Sequence, residues 1–170
     1  LCYTRDYKKD GLTKPKILIK IIKKCLEKRY PNIDMSFFDV LINQEIEMDE
    51  DVEGVGKKGE IFRPTRGHSL GMGNELTTLM GIINYRMINK SLCKGEHTVD
   101  IWNDDFRIHG ERDYLTAFRE KDIRVNRDLC QIFSEEKTRI LKGASVFLEE
   151  YTILDEEYNY TKHARVIMSL

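Results

Sequence analysis

The stretch HTVDIWNDDFRIH, residues 97–109, determines the expected fold. Apolar residues alternate with polar ones on both sides of a polar centre formed by Asn103, Asp104 and Asp105. Such alternation is typical of β-strands, and Asn and Asp favour the turn between two strands. The pattern therefore predicts a β-hairpin with two adjacent aspartates at its tip.

The segments around this hairpin have helical and extended patterns in turn. Their order predicts an α+β fold, in which helices cover one face of an antiparallel sheet and leave the other face to a ligand. Since there is no repeat and no low-complexity linker, they are expected to form one body. From the N terminus they are a strand at 1–6, a helix from about 13 to 29, an acidic loop at 45–60, a glycine-dense loop at 67–73, a helix at 75–90, a helix at about 112–130, and β-like segments around 137 and at 145–151.

Two of these helices have apolar residues at helical spacing, which indicates the faces that pack against a core. The first helix is basic, so a membrane surface or nucleic acid is an alternative partner for its lysines. The second carries Thr77, Gly81 and Asn84 on a separate face. The expected apolar stripes are Ile17, Leu18, Ile21, Ile22, Cys25 and Leu26 in the first helix, and Leu76, Met80, Ile83 and Met87 in the second.

Composition is typical of a protein that folds in water. The chain has 170 residues, 41% hydrophobic and 34% charged, and no apolar stretch approaches the ~20 residues that cross a membrane. The net charge of −1 hides plus seven in residues 1–30 (ten Lys/Arg, three acids) and minus seven in residues 32–60 (two Lys, nine acids). Four separated cysteines without a CxxC pair favour a reducing compartment and no zinc site. A start at Leu1 is expected of a piece of a longer protein.

Asp104 and Asp105 are the first candidates for chemistry. Adjacent carboxylates repel each other unless a cation or a proton lies between them. Mg²⁺ prefers oxygen ligands, and one or two carboxylates hold it together with substrate phosphates. Asp6, at the end of the first strand, would supply a further carboxylate if that strand pairs beside the hairpin. The alternative is an ordinary Asn-Asp-Asp turn.

The glycine-dense loop and the helix after it form a second candidate site. Gly67, Gly71 and Gly73 permit a close backbone approach to a phosphate just before a helix begins. Thr77 and Asn84 would then offer a hydroxyl and an amide to ribose hydroxyls. The alternative is a helix contact in which these two side chains form hydrogen bonds within the protein.

The order of these features resembles the palm motifs A to E of viral RNA-dependent RNA polymerases over nearly the whole chain. Among such polymerases it is most similar to the narnavirus and ormycovirus kind, whose motif B often begins Arg-Gly and contains Met-Gly. The similar stretches are TRDYKK (4–9) for motif A, RGHSLGMG (66–73) through Asn84 for motif B, WNDD (102–105) for motif C, EKT (136–138) for motif D and SVFLEEY (145–151) for motif E.

The resemblance implies the palm of a right-hand polymerase, with motifs A to D in residues 1–144 and motif E with the start of the thumb in residues 145–170. It implies RNA-templated RNA synthesis in viral genome replication, by nucleotidyl transfer from ribonucleoside triphosphates to an RNA 3′-hydroxyl. Template and primer RNA would be partners. The fingers and most of the thumb would lie outside this stretch, which would not polymerise alone. The expected location is the host cytoplasm, with mitochondria as the alternative.

The same resemblance implies roles for individual residues. Asp6, Asp104 and Asp105 would hold two Mg²⁺ ions, with Mn²⁺ as a substitute. Lys137 would donate a proton to the leaving pyrophosphate, with Lys142 as the alternative. The motif E stretch would support the primer end. Nucleotide or RNA contacts would come from Gly71, Met72, Gly73, Thr77, Asn84 and Asn103.

Two residues depart from the motifs of such polymerases. Asn103 stands where most have glycine, and Asp10 follows Asp6 by four residues where five or six are usual, which leaves ribose selection by Asp10 open. A reverse transcriptase is the nearest alternative function, and a non-catalytic RNA-binding subunit of a replication complex is another. Trp102 is expected to pack under the hairpin. The histidines, expected to be structural or at the surface, are His68, His97, His109 and His163.

Overall fold

The structure, a computed structural model, describes residues 1–54, 56–68, 73–92, 95–148, 150–154 and 160–162. The chain forms two compact units rather than the single body expected. The second unit has helices and buried apolar side chains of its own, so no change in composition marks its ends. The expected division at residue 144 stays a prediction. The first unit comprises Leu1–Lys8 and Gly73–Leu170, and the second Lys9–Met72.

The predicted hairpin and the three long predicted helices are present within three residues of their expected ends. Among the described residues, none of the helices has the length and apolar character needed to cross a bilayer. In chain order the elements are β1 (Cys2–Arg5), α1 (Asp10–Thr13), α2 (Lys16–Arg29), α3 (Phe37–Ile42), β2 (Ile46–Glu47), β3 (Ile61–Phe62), α4 (Asn74–Asn89), β4 (His97–Trp102), β5 (Asp105–Gly110), α5 (Arg112–Asp128), β6 (Arg139–Leu141), β7 (Ala144–Phe147), β8 (Glu150–Leu154) and β9 (Tyr160–Lys162).

A four-stranded antiparallel sheet, in the order β4-β5-β1-β6, organises the first unit. The turn between β4 and β5 consists of Asn103 and Asp104 alone. β1 lies beside β5, with Arg5 opposite Phe106. The first strand therefore pairs next to the hairpin, as is required for Asp6 to approach the turn.

One face of this sheet is covered by α4 and α5, and the core lies between the helices and the strands. Side chains alternate between the two faces of a strand, so every second residue of β1 and β5 points towards the helices. The rings of Phe106 and Phe118 stack here, with centroids 5.7 Å apart. The predicted α+β fold, with helices on one face of an antiparallel sheet, is confirmed. The buried core side chains are Tyr3, Ile88, Phe106, Ile108, Tyr114, Leu115 and Phe118.

Helix α4 buries Leu76 and Met80, as its apolar spacing predicts, but the rest of its buried face differs from the predicted stripe. Ile83 and Met87, both expected in the core, are 40% and 54% exposed. Gly81 accounts for the difference, because the helix approaches β4 so closely that a Cβ there would lie 2.8 Å from Cγ2 of Ile101. The face with small and polar residues therefore lies against the sheet. The buried residues of α4 are Leu76, Thr77, Met80, Gly81, Asn84 and Ile88.

The C-terminal strands form a three-stranded antiparallel sheet, in the order β7-β8-β9. The β-like stretch expected at 145–151 is a hairpin of two strands, since Leu148, directly after β7, has a φ of 53° in the left-handed region. The strand expected around Lys137 begins at Arg139 instead. Residues 163–170, part of the expected start of the thumb, lie outside the described residues.

In the second unit, α2 packs against α3. Leu18, Ile19 and Ile22 are buried. Ile17 and Ile21, both expected in the core, are 58% and 51% exposed. The predicted stripe is therefore confirmed at Leu18 and Ile22 but wrong at Ile17 and Ile21, since the buried side of α2 is rotated towards Ile19. The short strand β2 lies in the region expected to be an acidic loop, and it pairs with β3, which directly follows that region.

Candidate active site

Asp6, Asp104 and Asp105 lie at one end of the four-stranded sheet. The pairing of Arg5 with Phe106 places the residue after β1 beside the residue that begins β5. Those two residues are Asp6 and Asp105. Asp104 lies in the turn, directly before Asp105. Because the paired residues are buried under the helices, their neighbours along each strand face the opposite side, which we call the open face. The structure thus brings together the three carboxylates that the sequence predicts.

Lys137 lies next to these carboxylates. Its Nζ is 3.3 Å from Oδ2 of Asp6, and its side chain is 72% exposed. The charge of Asp6 and a hydrogen bond to it raise the pKa of Lys137 above its ordinary value, and the charges of Asp105 and Asp104 raise it further. All three carboxylates therefore act on one cation.

The loop before β6 holds Lys137 in this position. The N–H of Ser134 donates to the carbonyl of Asp6 at 2.9 Å, and the hydroxyl of Thr4 donates to the carbonyl of Lys137 at 2.9 Å. The hydroxyl of Thr138 contacts the backbone of Asp6 at 3.3 Å. Backbone bonds thus join the loop to the end of β1, so the fold places Lys137 beside Asp6 independently of their mutual attraction.

The donors at this end of the sheet suit a hard divalent cation. Among the described residues, no group of three or more Asp, Glu, His or Cys side chains is arranged to hold a metal ion by itself. Mg²⁺ needs only one or two protein carboxylates when substrate phosphates and water complete its shell. The ammonium of Lys137, attracted by all three carboxylates, shows that a positive charge is favoured here. The residues therefore fit Mg²⁺ held jointly with a triphosphate.

The turn that carries Asp104 has a backbone conformation that few residues adopt. Asn103 has a φ of 53°, in the left-handed region that glycine and asparagine tolerate best. This conformation explains how asparagine can stand where the resemblance implies glycine. The N–H of Asn103 donates to Oγ1 of Thr78 at 2.7 Å, and the Thr78 hydroxyl donates to the carbonyl of Asn74 at 2.9 Å. The first turns of α4 are thereby joined to the tip of the hairpin.

Trp102 does not pack under the hairpin, since its side chain is 55% exposed. It pairs with Asp105 across the two strands. Directly opposite residues of an antiparallel pair have their side chains on the same face. The indole therefore lies on the open face with Asp105, and the prediction for Trp102 is wrong.

Arg107 continues the open face beyond Asp105, and sequence reasoning missed it. Its guanidinium binds Oδ2 of Asp100 at 2.8 and 2.9 Å and donates to the hydroxyl of Ser145 at 3.1 Å. The same group lies 4.9 Å from the centre of the Phe147 ring. Arg107 thus joins β5 to β7, the strand of the predicted motif E. The signal was its position two residues after Asp105, since that spacing in a strand places both on one face.

A buried polar network lies under β1, on the face opposite the carboxylates. Asp122 of α5 accepts hydrogen bonds from Arg5 and Tyr3 at 2.8 Å each. One turn further along α5, Asn126 accepts a hydrogen bond from Tyr7 at 2.6 Å. The side chains on both sides of the first predicted metal ligand are therefore fixed by α5.

Two predicted nucleotide contacts, Thr77 and Asn84, are buried at 2% and 4% exposure. The amide of Asn84 donates to Oδ1 of Asn126 at 3.1 Å, which is the internal contact left open as an alternative. The hydroxyl of Thr77 has no hydrogen-bond partner among the described residues. Gly73, with a φ of 74°, precedes α4, and nucleotide binding by all three stays a prediction. The predicted residues that lie outside the described ones are Gly71, Met72 and His163.

In the second unit, Asp10 belongs to a buried ion cluster. Its carboxylate is 2.9 Å from Nζ of Lys14 and 3.6 Å from Nε2 of His68, and none of the three side chains is more than 6% exposed. Burial raises the pKa of Asp10, but the hydrogen bonds and charges of His68 and Lys14 outweigh it and hold the pKa below its ordinary value. This pairing gives Asp10 a structural role in its own unit.

Comparisons with known proteins find likeness only in solved structures, since no protein-family model and no curated protein matches the sequence. The sicinivirus 3Dpol RNA-dependent RNA polymerase matches with a TM-score of 0.58 at 11% identity, over 92% of this chain and 35% of that one. The RNA-dependent RNA polymerase of a human picobirnavirus matches with a TM-score of 0.58 at 14% identity, over 91% and 29%. Its insertion-loop deletion mutant matches with 0.60 at 15%, over 91% and 30%.

These structures are similar to the chain in fold over nearly all of its length. The chain spans about a third of the length of each of them. At such low identity the likeness shows the fold alone and assigns no residue a role. The four-stranded sheet, with α4 and α5 on one face and three aspartates at its end, therefore has the palm-like fold of viral RNA-dependent RNA polymerases.

Proposed function

We propose that the chain is the palm of a polymerase that copies RNA into RNA during viral genome replication. The observation that carries the proposal is the placement of three aspartates at one end of a palm-like sheet, where the ammonium of Lys137 lies 3.3 Å from Oδ2 of Asp6. The three solved structures of similar fold named above are viral RNA-dependent RNA polymerases. The order and content of the motifs favour a narnavirus- or ormycovirus-like lineage.

The reaction is nucleotidyl transfer from a ribonucleoside triphosphate to the 3′-hydroxyl of an RNA. Asp6, Asp104 and Asp105 hold two Mg²⁺ ions, or Mn²⁺ in their place. When bound, these ions supply activation of the hydroxyl and neutralisation of charge on the triphosphate and pyrophosphate. The protein's own contribution is to fix carboxylate oxygens on adjacent strands, so that little reorganisation is needed when substrate arrives.

Lys137 is the proposed proton donor to the leaving pyrophosphate. Its pKa, raised chiefly by Asp6, keeps the ammonium protonated throughout the neutral range. Its exposed side chain is accessible to a substrate that approaches the open face. As the bond to the leaving oxygen breaks, the ammonium transfers its proton to that oxygen, which is general-acid catalysis. Lys142, also exposed, is the alternative donor.

The remaining partners follow from the same proposal. Template and primer RNA lie along the open face, where Arg107 joins β5 to β7 and the primer end rests near the predicted motif E. Fingers and thumb outside this stretch complete the enzyme, which acts in the host cytoplasm. The residues proposed for nucleotide or RNA contact are Gly71, Met72, Gly73, Thr77, Asn84 and Asn103.

Primer extension with the full-length polypeptide that contains this sequence tests the proposal. Ribonucleotides and deoxyribonucleotides are compared on an RNA template, with Mg²⁺ present or chelated. Synthesis is expected with ribonucleotides and Mg²⁺ only. Asp104→Ala should reduce it to background without lowering the melting temperature, because Asp104 lies in a turn outside the core.

The matched control is Asp128→Ala, which removes an exposed aspartate at the end of α5 and should keep full activity. Synthesis that persists in the Asp104 variant would remove the metal assignment. A preference for deoxyribonucleotides would identify a reverse transcriptase. RNA binding without synthesis under any condition would identify a binding subunit.

A further inference from the structure

A single hydroxyl connects α4 to the turn that carries Asp104. The N–H of Asn103 donates to Oγ1 of Thr78 at 2.7 Å, and the same hydroxyl donates to the carbonyl of Asn74 at 2.9 Å. We propose that Thr78 is a positioning residue for the polymerase reaction, which holds the turn so that Asp104 is correctly placed. This inference rests on the function proposed above.

The two bonds of Thr78 fix the orientation of its hydroxyl. A hydroxyl has one proton to donate and lone pairs to accept with. Its proton is directed to Asn74, so a lone pair is left to accept the N–H of Asn103. Valine has the same shape but can do neither, whereas serine can do both. The contact is therefore specific to a hydroxyl at this position.

The backbone at Asn103 makes the turn sensitive to that contact. Asn103 is in the left-handed region, with a φ of 53°, and Asp104 is the next residue. Asparagine tolerates this region better than most residues, but at some cost, so contacts such as the bond to Thr78 help to hold Asn103 there. If its N–H is released, the peptide between Trp102 and Asn103 can rotate, the φ of Asn103 changes, and the carboxylate of Asp104 moves with the turn.

The helix cannot move closer to the hairpin to compensate. One turn after Thr78, a Cβ on Gly81 would lie 2.8 Å from Cγ2 of Ile101, so α4 is already in close contact with β4. Ile101 and Asn103 belong to the same end of the hairpin. Two contacts one helical turn apart therefore set the position of the hairpin against α4. Only the first of them bears on the turn itself.

The test compares Thr78→Val with Thr78→Ser in the full-length polypeptide. We expect the Val variant to lower kcat by about 10²-fold, the loss that a misplacement of about 1 Å can cause. Its KM for ribonucleotides should stay within roughly threefold. The Ser variant should restore kcat to within roughly threefold of the wild type, since the hydroxyl alone carries the contact.

Two further measurements separate positioning from general loss of structure. Hydrogen exchange of the Asn103 amide should be faster in the Val variant than in the wild type and the Ser variant. Mn²⁺ binding, followed by electron paramagnetic resonance of the free ion, should weaken in the Val variant only. Thr116→Val is the matched control, because the hydroxyl of Thr116 also donates to the carbonyl four residues earlier, at 2.9 Å, on the exposed side of α5 and away from the turn.

The outcomes are distinguishable. A wild type that makes no RNA removes the proposed function, and this inference with it. A wild type that polymerises, with a Val variant of unchanged kcat or unchanged amide exchange, overturns the role of Thr78 alone. Equal losses in the Val and Ser variants, or a loss matched by Thr116→Val, would also overturn it. A low kcat only in Thr78→Val, with faster amide exchange, supports it.

Discussion

Polar side chains on the two sides of the chain at β1 differ in their burial and in how closely they are paired. Tyr3 and Arg5 point into the helices, where Asp122 accepts hydrogen bonds from both at 2.8 Å. Asp6 lies on the open face, where its contact with Lys137 is longer, at 3.3 Å. Buried polar groups must be paired because their desolvation is costly, whereas exposed ones can exchange partners with water or substrate. At the end of β1, the buried side chain of Arg5 therefore contributes to stability, whereas the next residue, Asp6, lies at the candidate site.

A mutation on the buried face should accordingly change folding, and one on the open face should change activity. The largest effect is expected at Asp122. Asp122→Ala leaves the guanidinium of Arg5, which is 3% exposed, without its carboxylate. Breaking a buried ion pair by removal of one partner costs about 3–5 kcal/mol. Urea unfolding followed by circular dichroism should show a loss of that size in the free energy of unfolding.

The control removes both charges, as Arg5→Met with Asp122→Leu. No uncompensated charge remains, but the Tyr3 hydroxyl loses its acceptor, so a smaller loss of about 1–3 kcal/mol is expected. A double variant at least as unstable as Asp122→Ala would contradict the importance of the buried charge. It would then follow that the bonds of Asp122 to Tyr3 and Asn126 carry the stability.

A smaller effect on folding is expected at Gly81, on the same buried face. In Gly81→Ala, the new Cβ would meet Cγ2 of Ile101 at 2.8 Å, and this methyl group is on a stiff branched side chain. Overpacking costs about 1–3 kcal/mol, against a gain of about 1 kcal/mol from helix propensity. The free energy of unfolding should fall by about 1 kcal/mol in the same urea experiment.

Ile101→Leu provides the matched partner for Gly81→Ala, since leucine has no methyl group on Cβ. In the Ile101→Leu background, the alanine should cost less or become stabilising. A stabilising effect of Gly81→Ala in the wild-type background would mean that α4 and β4 are less tightly packed than the 2.8 Å distance implies.

The parts of the fold that the sequence predicts are those with a local cause. The hairpin follows from alternation around Asn103 and Asp104, and the long helices follow from apolar spacing. The placement of Asp6 beside the hairpin turn could be predicted too, because Asp6 comes directly after a strand that pairs with β5. Turn chemistry and periodicity depend on neighbours in sequence, so one chain suffices to recognise them.

The parts that could not be predicted depend on tertiary contacts. The rotation of the buried side of α2 and the close approach of Gly81 in α4 to Ile101 depend on packing that no spacing rule contains. Arg5 looks like part of a charged surface run in TRDYKK, yet it is buried because Asp122 lies 117 residues away in the chain and 2.8 Å away in space. The Thr78 contact has the same origin, since its partner Asn103 is 25 residues distant.

The smallest change in folding is expected at Lys137, on the open face. Its side chain is 72% exposed, so Lys137→Ala should cost less than about 1 kcal/mol of unfolding free energy. The pKa of Lys137 is raised in the folded state, chiefly by Asp6. Its small contribution is therefore complete below the ordinary value of 10.5 and disappears as pH rises through the raised pKa.

The effect of Lys137→Ala on synthesis should be much larger than its effect on folding, because a general acid contributes about 10²-fold or more to the rate. Lys137→Arg is the matched control, since arginine keeps the charge beside Asp6 but does not give up a proton near neutral pH. It should retain the wild-type stability and lose the rate. Full kcat in the Arg variant would assign Lys137 to charge neutralisation, and an unfolding loss well above 1 kcal/mol in the Ala variant would show that the open face also carries stability.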